Sequence, residues 1–266
     1  MTEVSANPVR GTIRAVVVVI TIAAWWITYS ETRNMGILMR AGVPMALGME
    51  GWADFTSFLA FTGMWAVMMI AMMLPSSYPT LLLHRSVYQK RNPENPGGTA
   101  LFATGYFAVW SASGVLFYLA YLAVGHWRSI LAAPPTVILR AAGLSLIIAG
   151  AYQWTHLKFV CLKHCQSPLH FIMEHWRDGK TGSARMGAAY GLYCFACCWG
   201  LMIILFVMGV MHLGWMAAVG VLILLEKVTA TPWLPKFAGL VMIGTGVLVL
   251  IWPSVLFVLS SQVTVR

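Results

Sequence analysis

Stretches of about 20 mostly apolar residues recur along the chain, and they restrict its fold more than any other feature. They lie near 12–30, 55–75, 100–124, 136–154, 187–210 and 238–259, with a shorter run near 213–228. Lipid offers no partner to exposed backbone groups, so segments of this kind cross it as helices or closed barrels. No period-2 alternation marks a barrel. The pattern predicts an all-α, polytopic transmembrane helical bundle of about seven spans, or six if 187–228 crosses once. Residues 1–266 form a single integral membrane domain. The first run follows Arg10 and Arg14, includes Trp25-Trp26 and lacks a small-x-small exit, so it reads as a retained anchor.

Charge supports this reading. Charged residues make up 9% of the 266, against about 25% in soluble domains. The net charge of +9 is spread over loops, not gathered in a basic patch, which argues against a nucleic-acid partner. With seven spans and the N-terminus inside, twelve of the 17 Lys and Arg fall on the inner side. This predicts a cytoplasmic N-terminus and a cytoplasmic loop over 154–186. Asn92–Gly98 is a turn-rich connector, and Pro75 and Pro79 are expected to kink or end the second span.

Sulfur is the other signal. All five cysteines lie between 161 and 198. Cys161 and Cys165 form a CxxxC around His164; Cys194, Cys197 and Cys198 form a CxxCC. On helices, both spacings place thiols on one face. From a span start at Gly187, Cys194 lies about 10 Å in. Thiols on a cytoplasmic face point away from structural disulfides and toward metal or redox chemistry. Soft thiolates and thioethers favour Cu(I), with zinc or an iron–sulfur cluster as the weaker alternatives. Met68 and Met72, with Met202 in register with Cys194 and Cys198, extend the soft ligands into the membrane, where Met211-His212 would mark the outer end. Methionine is also a common gap-filler, and that alternative stands beside the ligand reading. Glu226-Lys227 is either an interfacial pair or a carboxylate facing the bundle that binds a cation. His156, His164, His170 and His175 crowd the 154–186 loop with Glu174, and His164 is the best placed of them.

These residues also carry a resemblance. Trp65-x-x-Met68-x-x-Ala71-Met72-Met73-Leu74-Pro75 is one half. The other runs from Tyr152-Gln153 through Leu157-Lys158, Cys161, Cys165, Ser167-Pro168 and Trp176-Arg177-x-Gly179, to Gly191-x-Tyr193-Cys194-x-x-Cys197-Cys198-Trp199, Met202, Gly209-Val210-Met211 and Glu226-Lys227. Over about 65–246 the chain resembles a bacterial family of predicted metal-binding integral membrane proteins, a domain-of-unknown-function family sometimes labelled copper chaperone. It departs from that pattern at His156, where Pro is usual, and at Gln166, where Arg is usual. The resemblance implies a bacterial inner-membrane protein that binds metal and handles copper.

The expected function is therefore Cu(I) binding by Cys161, Cys165, Cys194, Cys197 and Cys198 for delivery or transport. His164, Met68, Met72, Met202 and Glu226 are the further candidate ligands. The expected partners are the lipid bilayer and a metal-accepting membrane or soluble protein, with oligomers allowed. Two alternatives remain: a membrane thiol–disulfide oxidoreductase, and a structural or assembly subunit of a larger complex. No ATP-binding motif and no nucleophile–base–acid constellation are present, so an enzyme is the weaker reading.

Overall fold

The structure is a computed structural model, and it describes residues 8–40, 55–92, 97–131, 135–208 and 213–252. These residues are all-helical, with nine helices and no strand among them. The helices are α1 (Pro8–Arg40), α2 (Phe55–Arg91), α3 (Gly98–Leu131), α4 (Pro135–Tyr152), α5 (His156–Gln166), α6 (Pro168–Glu174), α7 (Gly179–Met208), α8 (Leu213–Thr229) and α9 (Trp233–Ile251). Five segments are long and apolar enough to cross a membrane: Gly11–Arg33, Phe58–Arg91, Gly98–Ala120, Gly179–Val207 and Trp233–Ile251. α4 and α8, with 18 and 17 residues, fall just short of the usual length of about 20.

Of the two outcomes expected at Pro75 and Pro79, a kink or an end to the second apolar helix, the end is excluded, because α2 continues through both to Arg91. Proline costs a helix in water a backbone hydrogen bond, but inside a membrane protein neighbouring groups re-satisfy the chain. The carbonyls that lose their helical N–H are those of Ala71 and Pro75, and beside them Ser76 and Ser77 donate their hydroxyls to the Met73 and Leu74 carbonyls. The 154–186 connector is largely helical. It holds α5, α6 and the first two turns of α7. The reason is local: residues 158, 161, 162 and 165 repeat with the i, i+3, i+4, i+7 spacing of an amphipathic helix, and all four are buried. α7 starts at Gly179, so Cys194 lies about 22 Å along its helix. Residues 93–96 of the connector, and Met211 and His212, lie outside the described residues.

The chain divides into two compact units. The first comprises residues 1–114 and 167–192. In it α1 packs on α2 and α6 packs on α2. The Trp65 indole N–H donates to the Trp110 carbonyl at 3.0 Å and to Ser113 at 3.2 Å. Thr80 donates to the Tyr190 hydroxyl at 2.9 Å. Met68 and Met72 are buried on α2 in this unit. His84 is also fully buried here, among the rings of Tyr88, Phe102 and Trp176.

The second unit comprises residues 115–166 and 193–266. Its most extensive contact is between α4 and α9, which run antiparallel. Two glycine pairs set their separation. A Cβ at Gly143 would meet the Gly246 carbonyl oxygen at 2.9 Å, and one at Gly246 would meet the Gly143 oxygen at 2.6 Å. Gly150 and Gly239 repeat the relation seven residues away, at 2.8 and 2.7 Å. Small residues let helix backbones approach closely where lipid gives no hydrophobic drive for association.

Candidate metal centre

Three helices of the second unit bring the candidate site together, each through one buried stripe. On α7 the stripe is Cys194, Cys197, Cys198, Leu201, Met202 and Leu205, all effectively inaccessible. On α5 it is Lys158, Cys161, Leu162 and Cys165. On α8 it is Met216, Val219, Gly220, Ile223, Glu226 and Lys227. Each follows helical periodicity, so the fold that buries the apolar residues also buries the thiols and charges.

All five cysteines are buried and unbridged. Cys165 Sγ, from α5, lies 3.8 Å from Cys197 Sγ on α7, and Cys197 Sγ lies 3.3 Å from Cys198 Sγ. The Cys197 thiol also meets the Cys194 carbonyl at 3.2 Å. Cys161 sits one turn before Cys165 on the same buried face of α5. Burial pushes the Cys161 thiol up. Hydrogen bonding with Cys194, and burial with it, push the Cys165 thiol well above the ordinary thiol range.

Among the described residues, no group of three or more His, Cys, Asp or Glu side chains stands arranged to hold a metal ion. The thiols are drawn up against one another as hydrogen-bonding partners. Metal–sulfur bonds of about 2.3 Å put two tetrahedral ligands about 3.8 Å apart, so the Cys165–Cys197 spacing suits two ligands of one ion.

The charged residues take positions that sequence reasoning only partly found. Lys158 Nζ lies 2.8 Å from Glu226 Oε2, with the two side chains 0% and 1% exposed. Glu226 Oε1 is buried without a protein hydrogen-bond partner. Gln166 donates its amide to the Glu226 carbonyl at 2.8 Å, so α5 is fastened to α8 near both of its ends. Lys227 does not snorkel to an interface. It is 6% exposed, and its Nζ donates to Cys194 Sγ at 3.0 Å. Lys158 carries no signal of its own in the sequence beyond its place three residues before Cys161, which puts it on the same stripe.

The His164 Nδ1 lies 2.9 Å from the Val160 carbonyl, and its ring stacks on Tyr193 with centroids 4.3 Å apart. His170 and Glu174 face one another across one turn of α6 at 3.5 Å, both largely exposed. Met202 lies one turn beyond Cys198 on α7, whereas Met68 and Met72 belong to the first unit. Around the thiols, Tyr152 donates to the Ala196 carbonyl at 2.7 Å and packs on Trp199.

Fold and site together define a helical protein with several apolar, membrane-length helices and a buried cluster of thiols. The family described as PpoB2, Copper chaperone, matches residues 62–249, and the chain belongs to that family. No curated protein and no solved structure is matched by the chain.

Proposed function

We propose that this protein binds Cu(I) through clustered thiolates and delivers it to an acceptor protein. The carrying observation is the meeting of Cys165, from α5, with Cys197, from α7, at a sulfur separation of 3.8 Å, with Cys198 Sγ a further 3.3 Å from Cys197 Sγ. Thiolates are the soft ligands that monovalent copper prefers, and the family description is consistent with that cargo. Cys165, Cys194, Cys197 and Cys198 serve as the primary ligands in this reading. Cys161 and Met202, each one turn away, take the ion as it enters or leaves. Several thiolates hold copper tightly, so release proceeds by ligand exchange with an acceptor, which favours delivery over bulk transport. The protein sits in the bacterial inner membrane with about seven spans. Its N-terminus and the α5–α6 segment face the cytoplasm, a reading the distribution of Lys and Arg supports.

Metal analysis of the full chain, purified from its native membrane, tests this reading. Copper is expected with the wild-type chain and is expected to be lost on replacing Cys165, Cys194, Cys197 and Cys198 by Ser. Unchanged copper in that variant sinks the assignment.

The Cys165–Cys197 contact also suits a second reading, a thiol–disulfide oxidoreductase working through a mixed disulfide. Thiol trapping under oxidising and reducing conditions separates the two. A chain that binds copper and shows no Cys165–Cys197 disulfide excludes the second.

A further inference from the structure

The α5 helix carries Cys161 and Cys165 and is 11 residues long. A helix that short is marginal by itself and takes its place from what it packs on. Its N-terminal end is secured twice. Thr155 Oγ1 accepts the Lys158 N–H at 3.4 Å, and the Lys158 ammonium reaches Glu226 on α8. The C-terminal end is more open to fraying, because Ser167-Pro168 follows and proline disfavours the helical conformation in the residue before it. Cys165 stands in that last turn, one residue before the helix ends. Its 3.8 Å contact with Cys197 therefore depends on the turn being held.

Gln166 holds it. Its side-chain amide donates to the Glu226 carbonyl at 2.8 Å. That carbonyl is one of the last four of α8, which ends at Thr229, and the last four have no partner N–H within their own helix. The next residue, Ala230, has a φ of 50°, the left-handed conformation that stops a helix. The end of α8 is thus a defined point, and a side chain from α5 caps it.

We infer that Gln166 positions Cys165 at the thiol cluster by capping the C-terminal end of α8. This rests on the thiol-site reading above and adds to it a residue that binds no metal itself. The residue type matters. A carboxylate of the same size only accepts hydrogen bonds, so it would face the carbonyl without a donor. An apolar side chain leaves the carbonyl with no partner from α5. Either change frees the last turn of α5, and Cys165 then leaves Cys197, while Cys194, Cys197 and Cys198 keep their places on α7.

The test has two readouts on the full chain in detergent. The first needs no metal. In a chain whose only cysteines are Cys165 and Cys197, dibromobimane joins the two thiols and fluoresces once both its ends have reacted. With Gln166 in place the chain is expected to cross-link. Gln166→Leu and Gln166→Glu are expected to lower cross-linking by about five- to tenfold, the scale of one hydrogen bond. The second readout is Cu(I) affinity with all five cysteines present, measured against a chromophoric Cu(I) chelator under reducing, anaerobic conditions. It is expected to fall by the same factor. Gln166→Arg supplies an N–H donor again and is expected to restore both readouts. Lys163→Gln, on the exposed side of α5, is expected to change neither. If Gln166→Leu does not purify, Gln166→Glu makes the same loss of a donor. Cross-linking that is unchanged in the Leu and Glu variants, or absent with Gln166 in place, overturns the inference. An equal loss in Gln166→Arg or Lys163→Gln overturns it too, because general loosening of α5 then explains the effect. A wild-type chain that binds no copper removes the proposed function, whereas the cross-linking still decides what places Cys165.

Discussion

Lys158 and Glu226 form an ion pair at 2.8 Å in which neither side chain reaches solvent. A buried pair of this kind contributes little net stability, but removing one partner leaves a naked charge, at a cost of about 3–5 kcal/mol. Lys158→Met or Glu226→Leu alone is expected to destabilise the protein by that amount. The double variant is expected to recover most of the loss. Thermal unfolding in detergent of all four chains completes the cycle. Equal losses in single and double variants would show that the two residues are not coupled.

The glycine pairs between α4 and α9 predict a position-specific effect. Gly246→Ala places a methyl group 2.6 Å from the Gly143 carbonyl oxygen and 2.7 Å from Ile147 Cγ1, so the helices must part. The expected cost is about 1–3 kcal/mol. Gly244, on the same helix, has nothing within 4 Å of an added Cβ. Gly244→Ala is therefore expected to leave the melting temperature unchanged or raised. Comparing the two melting temperatures checks the packing without any assumption about metal.

Much of this was legible beforehand. The apolar runs announce helices because lipid leaves the backbone no other choice, and the CxxxC and CxxCC spacings announce one-sided thiol faces. What stayed hidden depends on partners distant in sequence. Lys158 reads as an ordinary loop cation until α5 forms and turns it toward Glu226, 68 residues on. Lys227 reads as a snorkelling residue because its neighbour Glu226 stands beside it, yet each has a partner on a different helix. The 154–186 segment is short and polar by hydropathy, so its helices emerge only from the four-residue buried stripe of α5.

Methionines provide the next prediction. Met68 and Met72 are buried in the first unit, where methionine's flexible thioether commonly fills gaps. Met68→Leu and Met72→Leu conserve volume and are expected to cost less than about 1.5 kcal/mol each. Copper stoichiometry is expected to stay at the wild-type value in both. A fall in bound copper would place these thioethers among the ligands.

Copper affinity is also expected to depend on pH. Burial raises the Cys161 thiol; hydrogen bonding with Cys194, together with burial, raises that of Cys165. A metal binds the thiolate, so protons compete with it more effectively at a raised thiol. Lowering the pH from about 8 to about 6 should weaken Cu(I) binding, by up to about tenfold per unit for each proton displaced. Competition against a chelator of known pH behaviour measures the slope. A flat profile would mean that the ion is held by groups that do not titrate in that range, such as thioethers.

The two glycine contacts between α4 and α9 stand seven residues apart on each helix, and α4 passes into α5 through only three residues, Gln153 to Thr155. A zipper pinned at two points cannot slip by a residue without driving a side chain into a carbonyl. Its register therefore works as a depth stop: where α4 is halted along α9 decides how far the Cys161 and Cys165 helix is pushed in, and so where the soft sulfur begins.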